Sequence, residues 1–248
     1  MKNLILSLYL LFLFVLLSAS SKVDNNQNFL SFLENEWKFE LSQSPVYATA
    51  MGVKGFETEW RDYSLEAIQM RKSRLEETLR SLKSFSAKTL SETNQLNLRL
   101  FTQLTRNELE ISQYNRHLLP FSHRGGIQLA HEDSGVIPLK SFDDYYFWIQ
   151  RLRNLDKRIE QTITLAKLGL QRGYKPPKIL MERVNRQINL QSHSAVKQSP
   201  FYKVFIDLPE SISKEDQTSL RMEAEEVIKE TVIPSYLLLE KYFKEEYL

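Results

Sequence analysis

From Phe29 almost to the last residue, apolar side chains recur at spacings of three and four, and only seven glycines interrupt 248 positions. A strand needs alternation with period two, whereas a helix returns every third or fourth side chain to the same face. The pattern therefore predicts an all-α (mainly α) chain, a multi-helix array joined by few tight turns and by long ordered loops. Phe29, Phe32, Leu33, Trp37 and Leu41 form a first stripe, after which Ser44-Pro45 sets a cap and first position for a short helix, and Gly52 and Gly55 bound a loop. A second stripe runs through Leu65, Ile68, Leu75, Leu79 and Leu82, with Arg71, Lys72, Arg74, Glu76 and Glu77 expected on the solvated side. A third helix is expected over Ser91 to Tyr114, with Leu98, Phe101 and Leu104 on one side.

Between Asn115 and Ser141 the periodicity fails. Pro120, Gly125, Gly126, Gly135 and Pro138 mark an ordered loop that packs through Leu118, Leu119, Phe121, Ile127 and Ile137. Loops this long inside compact domains are uncommon and often functional, so this stretch is the first place to look for a binding surface. Ser141 with Asp144 then forms a carboxylate capping box ahead of the stripe Tyr145, Trp148, Ile149, Leu152 and Leu155. Ile159, Ile163, Ala166 and Leu170 continue it to a stop at Gly173, and Pro176-Pro177 opens a helix carrying Leu180, Val184 and Ile188. A turn-rich connection spans Ser192 to Ser211. Ser213, with Asp216 three residues on, starts the last helix, in which Pro234 is expected to make a kink. Leu237, Leu238, Leu239, Tyr242, Phe243, Tyr247 and Leu248 then occupy most faces, so either earlier helices cover them or a further part of the protein does.

The amino terminus carries an address. Lys2, the apolar run Leu4 to Leu17 and the small residues Ser18, Ala19, Ser20 and Ser21 follow the order of a secretory signal. A bilayer span takes about 20 apolar residues, more than this run supplies, so cleavage is expected in place of a permanent membrane anchor. Cuts after Ser20 and after Ser21 both satisfy the small-residue rule. Residues 1–21 are thus expected to be a signal peptide and 22–248 a helical domain, exported to the periplasm or secreted. The chain has no cysteine, which excludes a cysteine-linked lipid anchor, disulfides and thiolate metal sites. Lys plus Arg number 33 against 31 Asp plus Glu, a balance with no long-range pull toward nucleic acid.

No complete catalytic set is visible. His117, His123 and His131 share the long loop, but the position four residues after His131 is Gly135, so His131-Glu132 does not complete a zinc-binding His-Glu-x-x-His helix. No Gly-x-Ser-x-Gly elbow or phosphate loop occurs. Asp143/Asp144 and Glu225/Glu226 are adjacent in sequence and point to different helix faces, as cap and surface groups do. Arg151, Arg153, Lys157 and Arg158 are interspersed with Asp156 and Glu160, the pattern of a solvated helix face. No catalytic, cofactor-binding or metal residue is assigned.

The order of short motifs is specific where each alone is weak. Ser44-Pro45, Ala48-Thr49 and Gly52, then Leu118-Leu119-Pro120 and Gly126, then Ser141-Phe142-Asp143-Asp144-Tyr145 with Arg151-Leu152-Arg153, resemble the bacterial domain of unknown function 885 family. Gly169, Gly173, Pro176-Pro177, Val184, Ser199-Pro200-Phe201, Ile233-Pro234-Ser235-Tyr236 and Glu246-Tyr247-Leu248 continue it. The resemblance implies a largely helical exported protein, about half the length of the family's typical members. Many of those resemble zinc metallopeptidases whose His-Glu and Pro-Gly-His-His motifs lie in a second half. On that implication this chain corresponds to an amino-terminal half, inactive alone, with zinc expected only with the other half. Its partners would be a separately encoded carboxy-terminal half or a peptide. A stand-alone helical peptide- or protein-binding module is the alternative.

Overall fold

The computed structural model describes residues 25–248, so the expected signal segment lies outside the described residues. These residues are all-α and carry no strand, with one isolated bridge between Ser122 and Gly125. Among them no helix is long and apolar enough to cross a membrane. They divide into two compact units, one from the residues up to Glu40 with Ile68–Tyr114, the other from Leu41–Ala67 with Asn115–Leu248.

The first unit takes most of α1 (25–43), most of α3 (Leu65–Leu82) and all of α4 (Glu92–Ser112). Its core is Phe29, Leu82, Leu90 and Leu98, with Phe32, Leu33, Leu79, Phe85 and Phe101 packed against it. The Phe29 and Phe85 rings meet edge to face at 5.1 Å, a favoured aromatic geometry. Two sequence expectations need correction. Arg74 is half-buried rather than fully solvated, its Nη2 donating to Glu36 Oε1 at 2.7 Å while Thr78 Oγ1 donates to Glu36 Oε2 at 2.7 Å. Leu104 is exposed, and the buried line of α4 runs Asn94, Leu98, Thr105. Asn94 earns its place by donating to Asn26 Oδ1 at 2.8 Å, and Thr105 bonds the Phe101 carbonyl, so polar side chains fill positions a hydropathy pattern would skip.

The second unit holds α2 (Pro45–Ala50), α5 (Phe142–Arg153), α6 (Leu155–Gln171), α7 (Lys178–His193), α8 (Lys214–Val227) and α9 (Ile233–Tyr242). Pro45 occupies the first turn of α2, although the Ser44 side chain makes no cap hydrogen bond. Ser141 and Asp144 form the reciprocal capping box of α5, and the α5 stripe is buried from Tyr145 to Leu152. At the end of α6, Gly173 takes φ +81° while Tyr174 N–H donates to the Gly169 carbonyl and Gly173 N–H to that of Leu170, the paired bonds of a Schellman stop. Helix α9 packs against α6 and α7, and α5 against α8. Leu239, Tyr242, Phe243 and Tyr247 are therefore covered by the chain's own helices, while Leu237, Leu238 and Leu248 stay exposed.

Pro234 lies within one unbroken helical run. A π-helical turn at Ile228–Val232 joins α8 to α9 directly ahead of Pro234, so the ladder is locally rewound where the proline lacks an N–H. The 115–141 stretch is ordered by 3₁₀ turns at Arg116–Leu118 and Ile127–Gly135. Leu118, Phe121, Ile127 and Ile137 are buried as expected, whereas Leu119 is exposed.

Gly169 is where α6 meets the first of those turns. A Cβ built there would lie 2.2 Å from the Leu118 carbonyl oxygen, a backbone atom that cannot swing away. Gly169→Ala is expected to lower the unfolding free energy by about 1–3 kcal/mol despite alanine's better helix propensity, measured by urea titration.

Candidate functional site

Arg151 lies in the last turn of α5 and Arg158 near the start of α6, on either side of the break at Asn154. Arg151 follows Trp148 by three and precedes Leu155 by four, and Arg158 follows Leu155 by three. Both therefore fall on the apolar stripe. Arg151 is fully buried and the Arg158 side chain is only 15 % exposed, which overturns the expectation of one solvated basic face. Arg153 and Lys157 are the exposed members of that cluster.

Arg151 ties the segment before α3 to α5. Its Nη2 donates to Thr49 Oγ1 at 2.8 Å and to the Phe56 carbonyl at 2.7 Å, while its own carbonyl accepts from Trp60 Nε1 at 2.8 Å. Among the described residues, Nε and Nη1 find no hydrogen-bond partner. Burial pushes the guanidinium pKa down to about 10, opposed by the carboxylates of Asp133, Glu57 and Glu59. Arg158 lies over the Trp60 ring at 4.5 Å and 5.9 Å from the Tyr63 centroid, with Asp133 Oδ2 3.6 Å from its Nη1. Burial raises the Asp133 pKa in spite of both arginines. Gln161 locks the neighbouring backbone, accepting from Tyr63 N–H at 2.9 Å and donating to Asp62 Oδ1 at 2.7 Å.

Two clefts open beside Arg158. The larger, about 290 Å³, has mixed charge, with Glu59 and Asp62 facing Arg61, Lys157 and Arg158 over a Trp60 floor. The smaller, about 190 Å³, is walled by Tyr63, Pro120, Ile127 and Leu165; Arg158, Arg116, His117 and Thr162 supply its polar groups. The long loop singled out from sequence thus contributes Arg116, His117, Pro120, Gly126 and Ile127 to this second cleft.

The acid–base candidates lie elsewhere. His131 Nδ1 is 2.9 Å from Gln191 Nε2 and its ring meets Phe201 edge to face, with its pKa lowered by burial. Among the described residues no group of three or more His, Asp or Glu side chains is placed to hold a metal ion. Asp144 is a cap, Glu225 accepts from the Tyr202 hydroxyl, and Glu226 pairs with Arg153. Sequence reasoning did not single out Glu240, which is 5 % exposed and accepts from Ser192 Oγ at 2.9 Å, beside His193 Nε2 at 2.8 Å and Lys244. Here the hydroxyl and the imidazole both face the carboxylate rather than each other, so the trio lacks the serine–histidine contact of a nucleophile relay. Burial pushes the Glu240 pKa up, but Lys244, Ser192 and His193 together outweigh it and the net displacement is downward.

In sequence, the profile of bacterial proteins of unknown function (DUF885) matches residues 45–248. A crystal structure provisionally described as a lipoprotein from Colwellia psychrerythraea matches with a TM-score of 0.66 at 17 % identity, over 92 % of this chain and 40 % of that one. The chain thus spans about two-fifths of that neighbour's length, and at this identity the likeness concerns the fold. No curated protein matches the sequence.

The Glu240 cluster predicts an acid sensitivity. A carboxyl whose folded pKa is depressed stabilises the fold above its ordinary value and loses that contribution as pH falls through the lowered one. Glu240→Gln is expected to cost about 1–3 kcal/mol at neutral pH and to flatten the decline of stability on acidification, read from urea midpoints between neutral and acid pH.

Proposed function

Because the chain belongs to the bacterial family of unknown function 885, we propose that it is the amino-terminal helical half of an exported, metallopeptidase-like protein, a half that holds peptide and does not cleave it alone. The observation that carries this reading is the family match from Pro45 to Leu248 together with a fold shared over most of this chain but two-fifths of a longer relative. Export is supported by the Lys2, apolar and small-residue order at the amino terminus and by the lipoprotein description of the neighbour. With no cysteine to carry a lipid, the chain itself would be periplasmic or secreted.

A family-type zinc does not fit the residues described. His131 is bonded to Gln191, Gly135 stands where a second histidine would be needed, and no three ligand side chains converge. No step through a metal is therefore derived for this chain. Its contribution would be positioning: Arg158 and the flanking Trp60 and Tyr63 rings offer a cationic, aromatic surface for a peptide, between the two clefts.

A second reading, a stand-alone binding module, is favoured by the coverage of Leu239, Tyr242, Phe243 and Tyr247 by the chain's own helices. A monodisperse chain that unfolds cooperatively would support it. Aggregation relieved by co-expressing a carboxy-terminal half would support the first reading. For inactivity itself, metal analysis and peptide hydrolysis on the purified chain are expected to give substoichiometric zinc and no chelator-sensitive turnover. One zinc per chain with turnover abolished by chelation would overturn it.

A further inference from the structure

Positive charge gathers around Trp60, with Asp133, Glu57, Glu59 and Asp62 as the carboxylates near it. Two guanidinium groups, those of Arg151 and Arg158, lie within 5.7 Å of the Trp60 ring centre, and Asp133 is the carboxylate in ion-pair contact with Arg158. That contact is a loose 3.6 Å pair, longer than an ordinary charge-assisted hydrogen bond. A guanidinium only 15 % exposed and held by one loose ion pair keeps donor capacity for an anion in a cleft that it lines.

Of the two clefts that Arg158 lines, only the smaller is free of carboxylates. Arg116 adds a second cation at its rim and Thr162 a hydroxyl, while Pro120, Ile127 and Leu165 form an apolar wall. Ile127 and Leu165 are each 2 % exposed, so that wall is fixed by the core. A planar guanidinium fork matches a carboxylate in two-point contact, and about 190 Å³ bounded by aliphatic carbon suits a carboxylate bearing a small aliphatic group. The geometry points to this pocket as a receptor for the free carboxy terminus of a peptide, with Arg158 holding the carboxylate and the Pro120, Ile127 and Leu165 wall receiving the last side chain. This rests on the peptide-holding role proposed above and gives that role a polarity, with the end of the peptide fixed at Arg158.

The test is calorimetric or NMR titration of the purified full chain with N-acetylated tripeptides ending in alanine or valine, as free acid and as carboxamide. The free acid is expected to bind at least about tenfold more tightly than the amide. Arg158→Lys, which keeps the charge and loses the fork, and Arg116→Ala at the exposed rim should each erase most of that preference, while Arg153→Ala on the exposed basic face should leave it unchanged. Arg116→Ala is removed from the core, so it keeps the test decisive if Arg158→Lys folds poorly. Equal binding of acid and amide, binding of neither, or acetate or inorganic phosphate binding as tightly as the peptide acid would overturn the inference. These readouts are independent of hydrolysis: zinc-dependent turnover would overturn the inactive reading and leave the acid–amide preference standing, and loss of that preference would leave the family reading intact.

Discussion

The second unit is organised around a buried guanidinium. Arg151 reaches from the last turn of α5 to Thr49 and to the Phe56 carbonyl, and Trp60 returns a hydrogen bond to the Arg151 carbonyl. These contacts bridge 91 to 102 positions in sequence. They fasten an irregular stretch with no helix of its own between Met51 and Ser64 to the helical core. With no disulfide available, a charged side chain that accepts several fixed partners is an effective clamp, because each partner lost leaves a buried group unsatisfied. Trp60, once fixed, becomes the floor on which Arg158 rests, and the larger cleft opens beside them.

The same arginines show where sequence reasoning succeeds and where it stops. Helix starts were legible because their determinants are local: Ser141 with Asp144, Ser213 with Asp216 and Pro45 occupy the positions their chemistry predicts. The stop at Gly173 was legible for the same reason, since a left-handed backbone favours glycine. The basic cluster was misread because charge was weighed by composition rather than by phase. Arg151 shares the stripe of Trp148 and Leu155, and a charged residue on an apolar stripe signals a buried role. Thr105 and Asn94 follow the same logic in the first unit, where side-chain hydrogen bonds let polar residues occupy core positions.

What no periodicity could reveal is the long-range pairing. Nothing local in Thr49, Phe56 or Asp133 announces that each faces an arginine, and Glu240 joins Ser192 and His193 only because α9 packs on α7. The π-helical turn ahead of Pro234 was not legible either, nor that Tyr236, just beyond it, lies in the core, where its hydroxyl donates to the Ile127 carbonyl. That bond ties the long loop to the last helices and steadies one wall of the smaller cleft. Fold, cleft and charge are thus linked through residues far apart in sequence.

The central claim, that a buried Arg151 holds this unit together, is tested most directly by equilibrium unfolding of Arg151→Met beside Arg153→Met. The two arginines are neighbours on one helix and differ in burial. The account predicts a loss of about 2–4 kcal/mol at Arg151, where Thr49 and the Phe56 carbonyl would lose their donor, and a change within about 0.5 kcal/mol at Arg153. Equal, small effects at both positions would contradict it.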